Sequence, residues 1–285
     1  MKTPKGLHPL LEDGVIDEVL YPLKSGKEAS VYVVRSGGET LCAKVYKDMA
    51  QRSFQARVPY QEGRKVRGSR RQRAIGKGSR FGRKEEEAAW KRTEVDALYR
   101  LAEAGVHVPR PHGYFEGVLL MALVVDAAGH SAPRLSEVEL SPEQACYFYT
   151  VLIRDVVRML CLGLIHGDLS AYNVLVTQEG PVLIDFPQVV NASGNNNARS
   201  MLLRDVHKLR DYLGRFAPEL LAVHHGEEMW ALFATGTLQP DVKLTGTFVF
   251  DQHSADVQTV RHSIEDARRE MLARQQGRKE AAERD

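Results

Sequence analysis

Short runs of β-forming residues dominate the first 46 positions of the chain. The segments 31–34 and 41–46 are rich in valine and aromatic residues. Between them, Ser36-Gly37-Gly38-Glu39 is typical of a hairpin turn, so the pattern predicts two antiparallel strands. Upstream, residues 15–20 predict a third strand, and Ser25-Gly26-Lys27 then breaks the run.

The pattern changes to a helical one in residues 85–103. Apolar side chains there recur at helical spacing, which gives the segment one face for a core, and Gly105 is a plausible stop. This stripe consists of Trp90, Val95, Leu98 and Leu101. Residues 114–124 then predict a second hairpin, which turns at Glu116-Gly117.

The second half of the chain predicts mainly helices. Ser141 and Pro142 form a good helix start, with serine as N-cap and proline in the first turn. That helix is apolar enough to be central and extends to about residue 161. Two short strands are expected at 174–176 and 182–184, and helix from about 199 to the end.

This order of elements predicts an α+β fold with two unequal lobes. We expect an N-lobe at 14–124, a C-lobe at 125–262 and a charged helical tail at 263–285. The N-lobe contains a long insertion at 47–84 that shows no apolar periodicity.

The insertion is strongly basic. Residues 52–84 hold twelve Lys or Arg against one Glu, although the whole chain has a net charge of only +2. Loops of this length are usually functional or disordered. Seven of the cations could contact RNA phosphates, and a solvated insertion is an equally good interpretation. They are Arg64, Lys65, Arg67, Arg70, Arg71, Arg73 and Lys77.

Composition excludes several classes of protein. With 43% hydrophobic and 27% charged residues in 285, the chain is neither wholly disordered nor collagen-like. Its three cysteines, Cys42, Cys146 and Cys161, have no Cys-x-x-Cys spacing, which argues against a disulfide framework or a zinc ribbon. No segment has the length and apolar character of a signal peptide or a membrane span. We therefore expect a cytoplasmic protein.

The sharpest chemical signal is the segment that follows the central helix. It consists of Ile165-His166-Gly167-Asp168-Leu169-Ser170-Ala171-Tyr172-Asn173, and Ile184-Asp185 comes after the next predicted hairpin. Phosphoryl transfer from ATP needs a carboxylate to orient the attacking hydroxyl and oxygen ligands for Mg²⁺. Asp168 fits the first role, and Asn173 and Asp185 fit the second.

A second signal is Lys44, which lies in the middle of a predicted strand. A lysine among apolar neighbours is costly without a partner. Kinases hold such a lysine on the ATP phosphates with a glutamate from the following helix. Glu94 lies mid-helix and is the expected partner, whereas Glu85, Glu86 and Glu87 fit a solvated first turn.

A weaker signal lies between the first two strands, where a phosphate-covering loop belongs in a kinase. The segment Ser25-Gly26-Lys27-Glu28-Ala29-Ser30-Val31-Tyr32 has a single glycine and lacks the Walker A pattern. By local pattern alone it is an ordinary turn.

Together these segments resemble the signature set of the RIO family of atypical serine/threonine protein kinases. The resemblance runs in order from about residue 14 to about residue 216, and it includes Ala43-Lys44-Val45-Tyr46-Lys47 and the connection at 103–109. Ile184-Asp185-Phe186-Pro187-Gln188 is its most specific part, since ordinary protein kinases have Asp-Phe-Gly there.

The resemblance implies ATP and Mg²⁺, or Mn²⁺ in its place, as cofactors. It implies that Lys44, held by Glu94, binds the ATP phosphates, and that Met121 is the gatekeeper. Asp168 would be the catalytic acceptor, with Asn173 and Asp185 as metal ligands. Asp185 would also be the site of an aspartyl-phosphate intermediate. The nucleotide would lie against Ser25, Gly26, Lys27, Val31 and the hinge backbones of Ala122 and Val124.

Some features depart from this pattern or from ordinary kinases. Only about twenty residues precede the phosphate loop, so we expect no winged-helix domain of the kind one RIO subfamily carries. Ala217-Pro218-Glu219 spells the end of a standard activation segment, but it follows a whole helical pattern. We interpret it as a helix start.

Three functions remain open at this point. The first is a RIO-type kinase that phosphorylates protein serine or threonine, itself included. The second is a small-molecule phosphotransferase or an ATPase switch with the same machinery. The third is an RNA- or ribosome-associated factor in which ATP sets the conformation. The physiological substrate cannot be read from the sequence.

Overall fold

A computed structural model describes residues 3–26, 28–47 and 93–249 of the chain. The chain divides into two units, Met1–Thr247 and Phe248–Asp285, and all the elements below belong to the first. Lys27, residues 48–92 and the predicted tail at 263–285 lie outside the described residues, and so do Trp90 and the basic cluster.

Five antiparallel strands form the main sheet, in the order β1-β2-β3-β5-β4. They are β1 Glu18–Ser25, β2 Ala29–Ser36, β3 Glu39–Tyr46, β4 Pro111–Phe115 and β5 Val118–Ala122. Gly37 and Gly38 connect β2 to β3 with φ values of 56° and 84°. Two successive positive φ values are what a tight two-residue hairpin requires, and glycine adopts them without strain.

The two faces of the sheet have different partners. Successive side chains of a strand point to opposite faces, so Leu41 and Ala43 of β3 share one face while Cys42 and Lys44 share the other. The first face packs against α1, His8–Glu12, in a small apolar core that includes Leu7 and Leu10. The second face is therefore turned toward the rest of the molecule.

Helix α2 occupies residues 93–103 of the described chain and buries Val95, Leu98 and Leu101 in the main core. Helix α3, Pro142–Cys161, is central to that core. Ser141 caps α3, because its hydroxyl accepts the amide hydrogen of Gln144 while the Gln144 side chain accepts that of Ser141. The predicted helix start and end are confirmed.

Two small two-stranded sheets and two further helices complete the second lobe. The strands are β6 Leu164–Ile165, β7 Val174–Val176, β8 Pro181–Leu183 and β9 Val190–Asn191. The helices are α4 Ala198–Leu213 and α5 His225–Ala234. Short 3₁₀ helices lie at Lys5–Leu7, Leu135–Glu137, Ala171–Asn173 and Pro218–Ala222. Pro218 therefore opens a helix, as the sequence predicted.

Two predicted elements are wrong in part. The first strand begins at Glu18, not at Val15, because the amides of Val15 and Ile16 instead bind the Leu10 carbonyl and Ile16 is buried beside α1. The chain is also not helical from residue 199 onward. Helix α5 ends at Ala234, and the described residues after it are irregular.

The α+β fold, with a strand-rich first lobe and a mostly helical second lobe, is confirmed. Within the described part of the chain, no helix combines the length and the apolar character needed to cross a bilayer.

Candidate active site

Lys44 lies at the centre of a buried ion-pair cluster. The alternation of β3 turns its side chain to the inner face of the sheet, toward α2. Its Nζ lies 2.5 Å from Glu94 Oε1 and 2.9 Å from Asp185 Oδ1. The side chains of Lys44 and Glu94 are 11% and 4% exposed, whereas that of Asp185 is 48% exposed. The structure thus joins three predicted site residues that are far apart in sequence.

The cluster fixes the charges of its members. Burial alone would lower the pKa of Lys44, but the carboxylates of Glu94 and Asp185 raise it above its ordinary value. Burial would likewise raise the pKa of Asp185, and the Lys44 ammonium lowers it below its ordinary value. Lys44 is therefore a fixed cation, and Asp185 an anion with exposed surface.

A cleft of about 560 Å³ opens beside this cluster. The sheet supplies one wall and the second lobe supplies the other, including Arg134 and Leu175. Of the predicted site residues that the structure describes, eight line the cleft: Gly26, Val31, Lys44, Met121, Ala122, Val124, Asp168 and Asp185. Glu94 lies behind Lys44 and does not line it.

The predicted phosphate loop is only partly described. The Gly26 amide donates a 2.9 Å hydrogen bond to the Ala29 carbonyl, which closes a tight turn between β1 and β2. Ser25 does not line the cleft, and its hydroxyl lies 3.1 Å from that of Ser30. Lys27 lies outside the described residues.

The segment after β5 presents backbone groups to the cleft. The amide of Ala122 donates to the Arg110 carbonyl at 2.8 Å, and the amide of Ala132 donates to the Val124 carbonyl at 3.0 Å. No described residue accepts a hydrogen bond from the amide of Val124. This edge of the cleft can therefore receive a flat polar group.

The loop after β6 depends on a glycine. Gly167 has a φ of 83°, a region where a side chain would be strained, so an arginine is disfavoured between His166 and Asp168. His166 is buried, and its Nε2 donates to the Ile184 carbonyl at 3.1 Å while its Nδ1 lies 3.4 Å from the Asp168 amide nitrogen. Burial lowers the pKa of His166, so the ring is neutral and links the Asp168 loop to Ile184, the residue before Asp185.

Asn173 ties the same loop from its other end. Its Nδ2 donates to the Asp168 carbonyl at 2.9 Å, and its own carbonyl accepts from the Ile184 amide at 3.0 Å. These two bonds place Asp168, Asn173 and Asp185 in one assembly. They also leave the Asn173 Oδ1 without a hydrogen-bond donor among the described residues.

Asp185 is held in a strained conformation. Its φ of 71° lies in the left-handed region, and among the described residues only Glu116 is another non-glycine with positive φ. Such strain costs of order 1–3 kcal/mol and is concentrated at functional sites. An exposed carboxylate oxygen from Asp185 and an amide oxygen from Asn173 are hard donors, which fit Mg²⁺ or Mn²⁺.

Three residues near the loop were missed by sequence reasoning. Asp205 of α4 is buried and accepts hydrogen bonds from the amides of Gly167 and Leu169 at 2.7 Å and 3.1 Å. Lys208 Nζ lies 3.3 Å from Asp168 Oδ1, and the Arg134 guanidinium donates to the Tyr172 carbonyl. Asp205 does leave a signal, since it occupies a core position of the amphipathic α4 between Leu202 and Leu209.

Comparison with known proteins decides the family. The RIO domain model matches residues 30–225, more than two thirds of the chain. The chain belongs to the RIO family of serine/threonine protein kinases. The matched range contains Lys44, Asp168, Asn173 and Asp185, and it begins after Ser25 and Gly26.

Curated RIO kinases from archaea and eukaryotes are similar to this chain. The RIO-type serine/threonine-protein kinase Rio1 of Haloferax volcanii is 33% identical over 215 residues, which are 75% of this chain and 69% of that protein. The Schizosaccharomyces pombe kinase rio1 is 31% identical over 193 residues, and human RIO1 is 29% identical over 224. These matches cover 66% and 78% of this chain but only 37% and 38% of those two relatives.

Proposed function

We propose that this RIO protein transfers the γ-phosphoryl group of ATP, with Mg²⁺, to serine or threonine hydroxyls of proteins, itself included. One observation carries the proposal. A buried lysine, Lys44, is held by Glu94 and Asp185 on the wall of a cleft that Asp168 also lines. Phosphoryl transfer from ATP requires an anchored cation, exposed carboxylates and an apolar cleft, and this site has all three.

The nucleotide's adenine would lie between the sheet and the second lobe. Met121 acts as gatekeeper, and the backbones of Ala122 and Val124 hold the adenine edge. The amide of Val124 supports this assignment, because no described residue accepts its hydrogen bond and adenine offers a ring nitrogen as acceptor. Val31 lies opposite Lys44 in the β2–β3 register, which favours Val31 as a cover over the nucleotide.

The phosphates would lie toward Lys44 and the turn after β1. Lys44 donates to phosphate oxygens while Glu94 and Asp185 keep it charged and in place. Ser25, Gly26 and Lys27 belong to the covering loop on the sequence resemblance, and Gly26 lines the cleft. Asn173 and Asp185 would hold Mg²⁺, which neutralises phosphate charge when bound.

Asp168 would orient the acceptor hydroxyl and accept its proton. Its side chain lines the cleft and is about half exposed, so an acceptor can reach it from solvent. Its backbone is fixed by Asn173 and by the His166 ring, which lowers the cost of holding the carboxylate in one place.

The test is to incubate the full chain with γ-labelled ATP and Mg²⁺, with and without lysate proteins. The label is followed on the chain, on other proteins and in free phosphate. We expect label on serine or threonine by phosphoamino-acid analysis, and strongly reduced label from the Asp168→Asn variant. Label only on a small molecule would contradict protein kinase activity and favour a phosphotransferase.

An ATPase switch is the second candidate, and the state of Asp185 favours it. Its carboxylate is ionised and 48% exposed, so it can act as a nucleophile toward the γ-phosphorus and form an aspartyl phosphate. In the same experiment this function would give free phosphate and a label on the chain that alkaline hydroxylamine removes.

The remaining proposals rest on sequence. An RNA or ribosomal partner would bind the basic loop at 52–84, and retention of RNA that weakens with salt would support it. A cytoplasmic location is the expectation from three cysteines, none of which forms a disulfide.

A further inference from the structure

The catalytic segment supplies no cation of its own. From residue 159 to residue 198 the sequence contains neither lysine nor arginine. Phosphoryl transfer nevertheless spreads negative charge over the transferred group, and cations that meet this charge supply much of the catalysis. A cation near Asp168 must therefore come from another element.

Helix α4 brings such a cation to Asp168. Lys208 Nζ lies 3.3 Å from Asp168 Oδ1, and the two side chains are 40% and 53% exposed. One turn earlier on the same face, the Arg204 guanidinium donates to the Gly167 carbonyl. This face of α4 thus runs along the catalytic loop.

Lys208 differs in position from the cations that would contact the nucleotide. Lys44 and Arg134 line the cleft, whereas Lys208 does not, although its partner Asp168 does. Lys208 therefore approaches Asp168 from outside the cleft, and in the proposed function the acceptor hydroxyl also reaches Asp168 from solvent. An exposed ammonium carries three N–H donors, and Asp168 is the single acceptor that the described residues offer it.

We propose that Lys208 is a catalytic residue, which binds the transferred phosphoryl group from the acceptor side. The inference rests on the proposed kinase function. The acceptor oxygen forms a bond to the γ-phosphorus as the bond from that phosphorus to the bridging oxygen breaks. ADP leaves with the bonding electron pair, and the hydroxyl proton passes to Asp168 and then to water. Lys208 keeps its proton and donates N–H groups to Asp168 and to the phosphoryl oxygens.

Lys208→Met tests this role, and Arg199→Met is the matched control. The control removes one positive charge from an exposed position of the same helix. With γ-labelled ATP, Mg²⁺ and dephosphorylated casein, we expect Lys208→Met to lower kcat by about 10- to 100-fold. ADP affinity and the thermal unfolding midpoint should equal those of the wild type, because Lys208 does not line the cleft and its side chain is 40% exposed. Lys208→Arg should recover part of kcat.

The same substitution in the Asp168→Asn variant distinguishes a catalytic role of Lys208 from a role in positioning Asp168. If Lys208 only orients Asp168, Lys208→Met should have no further effect on the residual activity of Asp168→Asn. If it also binds the phosphoryl group, the double variant should be slower than Asp168→Asn alone. Equal rates for these two proteins would overturn the catalytic role.

The outcomes distinguish this inference from the proposed function. If the wild type labels casein and Lys208→Met labels it as fast as Arg199→Met does, the proposed role of Lys208 is wrong and the kinase proposal stands. A wild type that binds ADP but turns over no ATP overturns the kinase proposal, and the role of Lys208 with it.

Discussion

The buried carboxylate of Asp205 accepts the amide hydrogen of Gly167 at 2.7 Å. A second bond, 3.1 Å long, comes from the amide of Leu169. One core side chain of α4 thus fixes both residues that flank Asp168. Asp168 is the proposed catalytic acceptor, and the position and orientation of such a group account for a large part of the rate of a reaction.

Asp205→Asn should reduce turnover while nucleotide binding persists. The asparagine oxygen can accept one of the two amides, but its NH₂ group faces the other, and two donors cannot bond. We expect kcat to fall by about 10-fold or more, with a loss of stability of about 1–3 kcal/mol. Steady-state kinetics and urea unfolding measure the two effects. Unchanged kcat would show that the loop keeps its position without Asp205.

The pH dependence of stability should carry a signature of Asp205. Burial raises its pKa to about 7, although the two amides favour the ionised form. Between about pH 4 and pH 7 the folded protein then holds a proton that the unfolded chain has released. Its contribution to the free energy of unfolding therefore falls as pH rises to about 7 and is constant above. The free energy of unfolding in urea is measured at pH 5, 6, 7 and 8 for the wild type and for Asp205→Asn. The value of the wild type minus that of the variant should decrease up to about pH 7 and then stay constant.

Local chemistry in the sequence predicted much of this site. The Gly37-Gly38 hairpin sets the register that pairs Val31 with Lys44, and strand alternation turns Lys44 inward. A mid-strand lysine needs a buried anion, and Glu94 lies at that place in the next helix. The first two steps use local turn chemistry and the strand period, and the choice of Glu94 uses the lysine–glutamate pairing that kinases share.

Contacts between distant elements could not be predicted in the same way. The pairing of Lys208 with Asp168 joins positions 40 residues apart, and it depends on the packing angle of α4, which no local pattern encodes. The first strand was misplaced because packing outweighed local propensity. Val15 and Ile16 favour a strand locally, yet burial of Ile16 against α1 decided their conformation.

Lys44→Met should abolish ATP turnover and destabilise the fold. It leaves Glu94 as a buried charge without its ammonium, and breaking a buried ion pair costs roughly 3–5 kcal/mol. Lys44→Arg should also lose turnover, since the planar fork does not fit a site built for a compact ammonium. The double variant Lys44→Met, Glu94→Gln removes both charges and should regain part of the stability but none of the activity. The free energy of unfolding in urea is measured for Lys44→Met, for Glu94→Gln and for the double variant. If the losses of the two single variants add up to that of the double variant, the ion pair contributes no coupling energy.

Asp185→Ala and Asp185→Gly form a matched pair that separates function from strain. Both lose the carboxylate, so both should lose Mg²⁺-dependent turnover while remaining folded. They differ at a φ of 71°, where alanine keeps the left-handed strain and glycine does not. Asp185→Gly should therefore be the more stable of the two by about 1 kcal/mol, measured as the difference in free energy of unfolding in urea.

Equal stabilities would mean that the backbone relaxes once the Lys44 contact is gone. Turnover at the wild-type rate in either variant would contradict the assignment of Asp185 to the site.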